Sequence, residues 1–306
     1  MRVVFLVMLF AIGLFGCSDS EPVAVVDMSK VESVSPPGRD AAITYAYLPQ
    51  YSHSVSFERH RRLLIYLRAK TGLNIRQVFS DSFAEHIQMV ERGEIDISFS
   101  NPLVYIRIAK SGAMAFARIV EPDNGADFQG QIIVRSDNPD IRRLEDCRGK
   151  RLIAVDPDSA GGYLYPMGLF LNHGIARSDF KEIAFASGSG GKQETVVLAV
   201  NAGAYDVGTI RKGALDVVRD KIDLGQIRVL AESEAYPGWV YASGAGINPA
   251  HRERIARALF DLDINRPEDK SILSEAGMVG IIPAKDSDYE SIRKLAHRLN
   301  LNEETP

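Results

Sequence analysis

Hydrophobic and polar positions alternate between two periods along most of the chain. Ile43 to Tyr47 is a short β-prone run, and apolar residues at helical spacing follow it as far as Gly72. A strand at Ile95 to Phe99 and a helix that starts at Asn101 and Pro102 continue the order. This alternation predicts an α/β protein with mostly parallel sheets.

A second block of the chain repeats this order. It contains a strand at Arg151 to Val155, a helix that begins near Ser159, a Gly/Ser-rich loop at Ser187 to Gly191, a helix that ends near Gly203 and a strand at Tyr205 to Thr209. Two blocks of the same kind predict two α/β lobes. A protein of two such lobes typically closes around a small solute at the carboxyl ends of its strands.

A short internal similarity supports the two-lobe hypothesis. Residues 92–98 and 202–208 share a glycine, then an aliphatic or aromatic residue two positions on, an aspartate, an aliphatic residue and a small one. Chance is the alternative, because helix-Gly-strand junctions are common in α/β proteins.

The first residues have the pattern of an export signal. The apolar run from Val3 to Phe15 is shorter than the roughly 20 residues that span a bilayer and fits the ~7 to 15 of a signal-peptide core. Cys17 follows the small Gly16, which resembles the lipobox of bacterial lipoproteins. The resemblance implies that residues 1–16 are removed and that Cys17 is acylated. An ordinary signal peptide that contains a cysteine is the alternative.

Residues 17–39 are polar and small apart from one Val-rich patch, and Pro36-Pro37-Gly38 stands near their end. We interpret them as a tether. The expected location is the bacterial cell envelope, on the periplasmic or extracytoplasmic face, with the membrane contacted through the lipid alone. If Cys17 is acylated, Cys147 is the only thiol left, and we expect it to pack as a small hydrophobe.

Composition excludes several classes of protein. The 306 residues are 45% apolar and 25% charged, with a mean hydropathy of -0.08, which is typical of a water-soluble folded chain. A net charge of -4 gives no attraction toward nucleic acid, so we expect no nucleic-acid partner. We also expect a monomer.

No pattern in the chain indicates catalysis. The six histidines have no paired helical spacing, so we expect no metal site. The run from Gly188 to Lys192 resembles a phosphate loop, but Gln193 stands where Ser or Thr is needed. There is no Gly-x-Ser-x-Gly motif, we expect no cofactor, and an enzyme is kept only as an alternative.

The segment from Asp156 to Tyr163 has the composition of an oxyanion site. Backbone N–H groups at a helix start, helped by a hydroxyl, are preorganised donors for negative charge. Ser159 is the candidate hydroxyl donor, and Gly161 and Gly162 allow the backbone to approach a ligand closely. A plain N-cap serine in a tight turn is the alternative interpretation.

Four stretches of the chain carry a family resemblance. Residues 96–105, 141–150, 156–163 and 206–211 are similar to successive motifs of the phosphate/phosphite/phosphonate ABC-transporter binding proteins. The resemblance implies a type II periplasmic-binding fold whose chain crosses twice between its lobes, near Gln129 to Arg135 and Val229 to Trp239. We therefore place the first lobe in residues 40–130 and 236–306 and the second lobe in residues 131–235.

The sequence departs from the family at two places. The usual Thr-Ser-Gly after the motif serine is Ala160-Gly161-Gly162, and the usual His-Asp pair is Gln193-Glu194. Two hydroxyl donors and one potential cation are therefore missing. Lys192 and Arg211 are the candidates for compensation, with a solvated surface charge as the alternative for each.

The complete set of candidate ligand-binding residues comes from both predicted lobes. It comprises Tyr47, Ser100, Asn101 and Tyr105 in the first lobe, and Ser159, Ala160, Gly161, Gly162, Lys192, Gln193, Asp206 and Arg211 in the second. Tyr47 could form an aromatic wall, and Tyr105 matches a family tyrosine that faces the cleft. Asp206 would repel an anion unless the ligand also carries an amine, so the alternative is that it fixes its loop.

The resemblance implies a solute-binding lipoprotein that captures a small oxyanion and delivers it to an ABC importer. The alternative is a receptor that docks on a sensor histidine kinase, because residues 206–211 and 236–239 resemble sensor-associated members of the family. Genes for a permease or for a kinase beside this one would separate the two. The sequence does not choose between phosphorus, sulfur and arsenic oxyanions.

Overall fold

The computed structural model describes residues 42–188 and 190–301. The strands in these ranges are β1 (Ile43–Tyr47), β2 (Ile75–Val78), β3 (Ile97–Ser100), β4 (Met114–Val120), β5 (Asp127–Phe128), β6 (Gly130–Arg135), β7 (Arg151–Ala154), β8 (Glu182–Phe185), β9 (Val207–Arg211), β10 (Ile227–Glu232), β11 (Tyr236–Pro237), β12 (Val240–Ser243) and β13 (Gly280–Pro283). The helices are α1 (His53–Thr71), α2 (Phe83–Glu91), α3 (Pro102–Ile108), α4 (Tyr165–Asn172), α5 (Lys192–Asn201), α6 (Pro249–Phe260), α7 (Pro267–Glu275) and α8 (Glu290–Arg298).

The strands form two large sheets. The first sheet has the order β13-β4-β12-β3-β1-β2, and the second has the order β10-β6-β9-β7-β8. We call these sheets and the helices that pack on them the first and second lobes. The short pair of β5 and β11 lies where the chain passes between them. The predicted two-lobed α/β fold is therefore confirmed.

The sheets are mixed, and the prediction that they are mostly parallel was wrong. β1 pairs parallel with β2 and β3, and β7 pairs parallel with β8 and β9. The strands that flank the two crossings, β4, β6, β10 and β12, all pair antiparallel. Parallel neighbours need a crossover connection, usually a helix: α1 connects β1 to β2 and α4 connects β7 to β8, whereas the chain enters β6 and β12 directly from the other lobe.

The internal similarity has a structural cause. Asp96 stands just before β3, and its Oδ2 accepts the backbone N–H of Thr44 at 2.8 Å. Asp206 stands just before β9, and its Oδ2 accepts the backbone N–H of Arg151, also at 2.8 Å. Each aspartate thus ties the beginning of a neighbouring parallel strand, β1 or β7, to the beginning of its own strand, β3 or β9. This role explains why the two segments share an aspartate, and why β3 and β9 begin two residues later than predicted.

The apolar core continues from one lobe into the other. One cluster of buried residues includes Tyr45 and Val104 of the first lobe together with Ile132 and Phe170 of the second. On the side of the crossings, the ring of Tyr165 stacks on that of Tyr236 with their centroids 4.4 Å apart. A second cluster lies on the other face of the second sheet, around Val196, Val197 and Val200. The lobes are thus joined along one side and face each other along the other.

Several sequence predictions concern the ends of the chain and its thiol. The predicted signal peptide, Cys17 and the tether lie outside the described residues. None of the helices between residues 42 and 301 combines the length and the hydrophobicity needed to cross a membrane. Cys147 is a buried free thiol, as predicted, and burial raises its pKa to about 12.

Candidate functional site

Two neighbouring cavities lie between the lobes, at the carboxyl ends of β1, β3 and β9. The larger has a volume of about 200 Å³. The smaller has a volume of about 10 Å³, which is close to the room that one water molecule needs. Gln50 and Trp239 of the first lobe and Arg211 of the second line both cavities.

Aromatic and polar side chains from both lobes line the two cavities. The larger cavity is lined in the first lobe by Tyr47, Tyr51, Arg59, Phe99 and Glu121, and in the second lobe by Lys212, Gly213 and Asp216, among others. The smaller cavity is lined by Phe83, Asn101, Phe128, Ser159, Ala160, Gly161 and Gln193. The Tyr47 and Trp239 rings stack with centroids 6.2 Å apart, and the indole N–H of Trp239 has no partner in the described structure.

Arg211 is the cation at the centre of the site. It ends β9, and its backbone N–H donates to Gln193 Oε1 at 3.0 Å. Its guanidinium Nη1 donates to Glu121 Oε1, 3.2 Å away on the other lobe. Burial lowers the pKa of Arg211, but the Glu121 carboxylate, Tyr51 and Tyr47 together more than offset that effect and the net change is upward. Arg211 therefore stays charged in the cleft.

Arg59 reaches the larger cavity from α1 of the first lobe. Its guanidinium lies 4.9 Å from the centre of the Tyr51 ring, and Nη2 donates to the carbonyl of Ala276 at 3.0 Å. Its buried Nε–H has no partner in the structure as described. Burial raises the pKa of Tyr47 well above its usual range, so Tyr47 keeps its hydroxyl proton. Arginines from opposite lobes thus border one cavity.

Two other charged groups at the larger cavity, Lys212 and Asp216, are already paired. Lys212 Nζ donates to Gln129 Oε1 at 3.0 Å and to Glu232 Oε2 at 2.9 Å. Asp216 forms an ion pair with Arg219. Lys212 is thus engaged by two acceptors, and Arg59 and Arg211 are the cations that border this cavity from opposite lobes.

The oxyanion segment of the second lobe has the predicted helix start. Ser159 is the N-cap residue, and its Oγ accepts the Gly162 N–H at 3.1 Å. One π-helical turn, Ala160–Leu164, follows and leads into α4. The first N–H groups of a helix have no partner within it, and Ala160 and Gly161 line the smaller cavity.

Gly161 and Gly162 have different roles. A Cβ atom at Gly161 would lie 2.6 Å from the Phe128 ring and 2.8 Å from Arg211 Cβ, so only glycine fits here. Gly162 is buried, its N–H is taken by Ser159, and its carbonyl accepts from the Thr209 hydroxyl at 2.7 Å. Gly162 therefore shapes the loop and offers no donor to a ligand.

In the first lobe, Asn101 and Ser100 lie at the start of α3. Asn101 Oδ1 accepts the N–H groups of Leu103 and Val104, and its Nδ2 donates to the carbonyl of Asp158 in the second lobe at 3.0 Å. Ser100 is fully buried, and its hydroxyl has no partner among the described residues. Asn101 thus caps a helix and touches the opposite lobe.

Five predicted ligand residues do not line either cavity: Ser100 and Gly162, described above, and Tyr105, Lys192 and Asp206. Tyr105 is buried in the first lobe, where its hydroxyl donates to Asp286 Oδ1 at 2.6 Å and accepts from the Ala115 N–H at 3.2 Å. Lys192 Nζ donates to Asp156 Oδ2 at 2.6 Å within the second lobe. Asp206 is at the amino end of β9, opposite the cleft, so its alternative role of fixing the loop is the one that the geometry supports.

Contacts across the cleft hold the lobes together. Arg107 Nε of the first lobe lies 2.5 Å from Asp158 Oδ1 of the second. The Gly191 N–H donates to the carbonyl of Gln50 at 3.2 Å. With the Arg211 and Glu121 pair, these contacts give a closed arrangement that can hold a small anion without covalent chemistry. Within the described residues, no three His, Cys, Asp or Glu side chains are grouped as a metal site would require.

Sequence reasoning missed Gln50, Arg59, Glu121 and Trp239. Arg59 stands in the run Arg59-His60-Arg61-Arg62, which has the appearance of a solvated helix face. Glu121 belongs to a turn without a recognisable motif. Trp239 was noted in the 236–239 stretch but not assigned to the site. Its position as the aromatic residue that ends a predicted crossing was the one signal that could have placed it in the cleft.

Two α/β lobes joined by two crossings, with polar groups converging between them, define a periplasmic binding protein. A family model described as "ABC transporter, phosphonate, periplasmic substrate-binding protein" matches residues 45–289, and the chain belongs to this family. Its members are solute-binding transport proteins of the extracytoplasmic space, not enzymes.

The relatives agree with this assignment. The chain is 25% identical over 282 residues to the phosphate-import protein PhnD of Mycolicibacterium smegmatis, covering 86% of this chain and 88% of that one. The structure of PhnD1 from Prochlorococcus marinus in complex with methylphosphonate is similar, with a TM-score of 0.75, 15% identity and coverage of 85% and 99%. A binding protein component of an ABC phosphonate transporter from Pseudomonas aeruginosa has a TM-score of 0.72, 19% identity and coverage of 85% and 87%.

Proposed function

We propose that this protein is a lipid-anchored receptor that captures a small oxyanion of phosphorus outside the cytoplasm and delivers it to an ABC importer. The observation that carries the proposal is the approach of Arg59 and Arg211 to one cavity from opposite lobes. A ligand that contacts both arginines draws the lobes together. The names of the relatives, which refer to phosphate import and to methylphosphonate, support a phosphorus oxyanion over one of sulfur or arsenic.

We place the oxyanion at Arg211, where the two cavities meet. There it can accept from the guanidinium and from the N–H groups of Ala160 and Gly161, which a helix start leaves without a partner inside the helix and whose helix dipole favours negative charge. The smaller cavity has room for about one water molecule, so its side chains must move outward to admit the anion. Any organic substituent would then extend along Tyr47 and Trp239 in the larger cavity.

This placement implies how ligand and lobe closure are coupled. Only the closed form brings the second-lobe donors and Arg59 onto the same anion. A ligand therefore shifts the equilibrium toward closure by its extra affinity for that form. The missing family hydroxyls at Ala160 and Gly161 are compensated in this arrangement by the two guanidinium groups.

Replacing Arg211→Gln is expected to weaken binding of phosphate or methylphosphonate by at least about tenfold to a hundredfold. A hydrogen bond to a charged group is lost, and Glu121 is left in the cleft without its cation. Isothermal titration calorimetry on residues 40–306 measures the effect. Arg135→Gln removes a second-lobe arginine that pairs with Asp137 far from the cavities, so it should leave affinity unchanged. Equal affinity for the two variants would contradict the placement at Arg211.

Replacing Cys17→Ser is expected to abolish membrane attachment, because the proposed acyl chains are then not added. Expression of the full chain with a labelled fatty acid, followed by membrane fractionation, tests this. Cys147→Ser is the matched control, since that thiol is buried and should not affect labelling. Label retained in the Cys17→Ser protein would rule out the lipid anchor and leave the ordinary signal peptide as the explanation.

A further inference from the structure

Glu121 is held in the cleft by a tight turn. It follows β4 directly, and residues 121–125 close on themselves through two backbone hydrogen bonds, Glu121 N–H to Gly125 O at 2.7 Å and Gly125 N–H to Glu121 O at 3.1 Å. The side chain of Asn124 donates to Glu121 Oε2 at 3.2 Å. The other oxygen, Oε1, is left to face the second lobe.

Glu121 Oε1 contacts Arg211, the cation at which we place the proposed ligand. Glu121 Oε1 and Arg211 Nη1 are 3.2 Å apart, and the two side chains are only 12% and 20% exposed. A pair so little exposed is screened weakly by water and salt, so its attraction is stronger than that of a surface pair. The carboxylate therefore occupies the counter-ion position on Arg211 that a bound oxyanion needs.

We propose that Glu121 is a specificity-determining residue that competes with the ligand for Arg211. The inference rests on the proposed function. An incoming anion must displace the carboxylate or share the guanidinium with it, and repulsion between the carboxylate and the ligand grows with the charge on the ligand. Glu121 thus lowers the affinity for all anions and lowers it most for those with two negative charges.

The test compares two phosphorus oxyanions of different charge at pH 8. Inorganic phosphate is close to doubly charged at this pH, and hypophosphite carries a single charge. Relative to the unmodified chain, Glu121→Gln is expected to bind phosphate at least about tenfold more tightly and hypophosphite no more than about threefold more tightly. Titration calorimetry gives both dissociation constants, and a thermal unfolding scan verifies that the variant is folded.

Glu94→Gln is the matched control. It makes the same chemical change in the first lobe and breaks an exposed pair with Arg92, whose Nε lies 2.7 Å from Glu94 Oε1. It alters the net charge equally but lies away from the cavities, so neither anion should bind differently. Phosphate binding by Glu121→Gln that is unchanged or weaker, or a gain equal for the two anions, would overturn the proposal.

Binding by the unmodified chain separates this inference from the proposed function. If neither the unmodified chain nor Glu121→Gln binds either anion, the proposed function fails and this inference fails with it. If the unmodified chain binds phosphate and Glu121→Gln binds it no more tightly, the inference alone is overturned.

Discussion

Lowering the pH from 7.5 to 5 is expected to remove about 4 kcal/mol from the free energy of unfolding, about 2 kcal/mol for each of two histidines. His60 and His86 are completely buried in the first lobe, and burial lowers the pKa of each from 6.5 to about 3. The unfolded chain therefore binds two more protons than the folded chain between these values. Stability is fully present above pH 6.5 and is lost as the pH falls toward 3.

The surroundings of the two rings explain why they stay neutral. His60 Nδ1 is 2.6 Å from the Tyr45 hydroxyl, and its ring centre lies 4.5 Å from that of Tyr47. His86 Nε2 is 2.7 Å from the Ser98 hydroxyl. Burial is the larger cause for both, and the nearby Arg59 guanidinium lowers the pKa of His60 further. Among the residues that the structure describes, no carboxylate offsets the charge that protonation of either ring would create.

Urea denaturation at pH 7.5 and 5 measures the loss. His86→Gln should halve the difference between the two pH values, whatever its effect on stability at pH 7.5, because one of the two titrating groups is gone. His173→Gln is the control, since His173 is 44% exposed and lies near Glu145 on the surface. An unaltered pH dependence in His86→Gln, or nuclear magnetic resonance signals showing all histidines titrating near pH 6.5, would refute the explanation.

Replacing Gly190→Val is expected to hold the lobes apart and to weaken oxyanion binding by about a hundredfold or more. Gly190 of the second lobe lies against the first-lobe backbone, where an added Cβ would be 2.8 Å from the carbonyl carbon of Tyr51 and 2.9 Å from the nitrogen of Ser52. Backbone cannot move aside as a flexible side chain can. The lobes must therefore separate, and the ligand loses its first-lobe contacts.

The matched control is Gly246→Val, at a first-lobe glycine around which nothing lies within 4 Å of the added Cβ. It should leave affinity and dimensions unchanged. Small-angle X-ray scattering should give a larger radius of gyration for Gly190→Val alone, with a melting temperature close to that of the unmodified chain because each core is intact. A Gly190→Val protein as compact as the control would show that the loop yields and the lobes still close.

The order of elements could be predicted from the sequence because each element carries its own signal. Asn101 with Pro102 starts α3 and Ser159 begins the helical segment before α4, both as the sequence predicts. The predicted strand starts were less accurate. The sequence pattern places Asp96 and Asp206 inside strands, whereas both stand just before a strand and accept hydrogen bonds from the backbone of a neighbouring strand. These hydrogen bonds depend on which strands become neighbours in the sheet, and a local sequence pattern does not contain that information.

The candidate site could be predicted only where a residue acts within its own segment. The Ser159 segment and Arg211 follow strands, and local rules place them at the cleft edge. Arg59 and Glu121 act through partners far away in the chain, so their role emerges only when the lobes face each other. Tyr105 was misplaced for the same reason, because the distant Asp286 binds its hydroxyl.

The sheet order also sets the sequence of events when the chain first folds. Every strand of the second sheet lies between residues 130 and 232, so that sheet can assemble as soon as this stretch is available. In the first sheet, β12 is the strand that joins β3 to β4, and it comes from residues 240–243. Since contacts between distant parts of a chain form late, a chain that emerges from its amino end would complete its second lobe while β3 and β4 of the first still lack β12 between them.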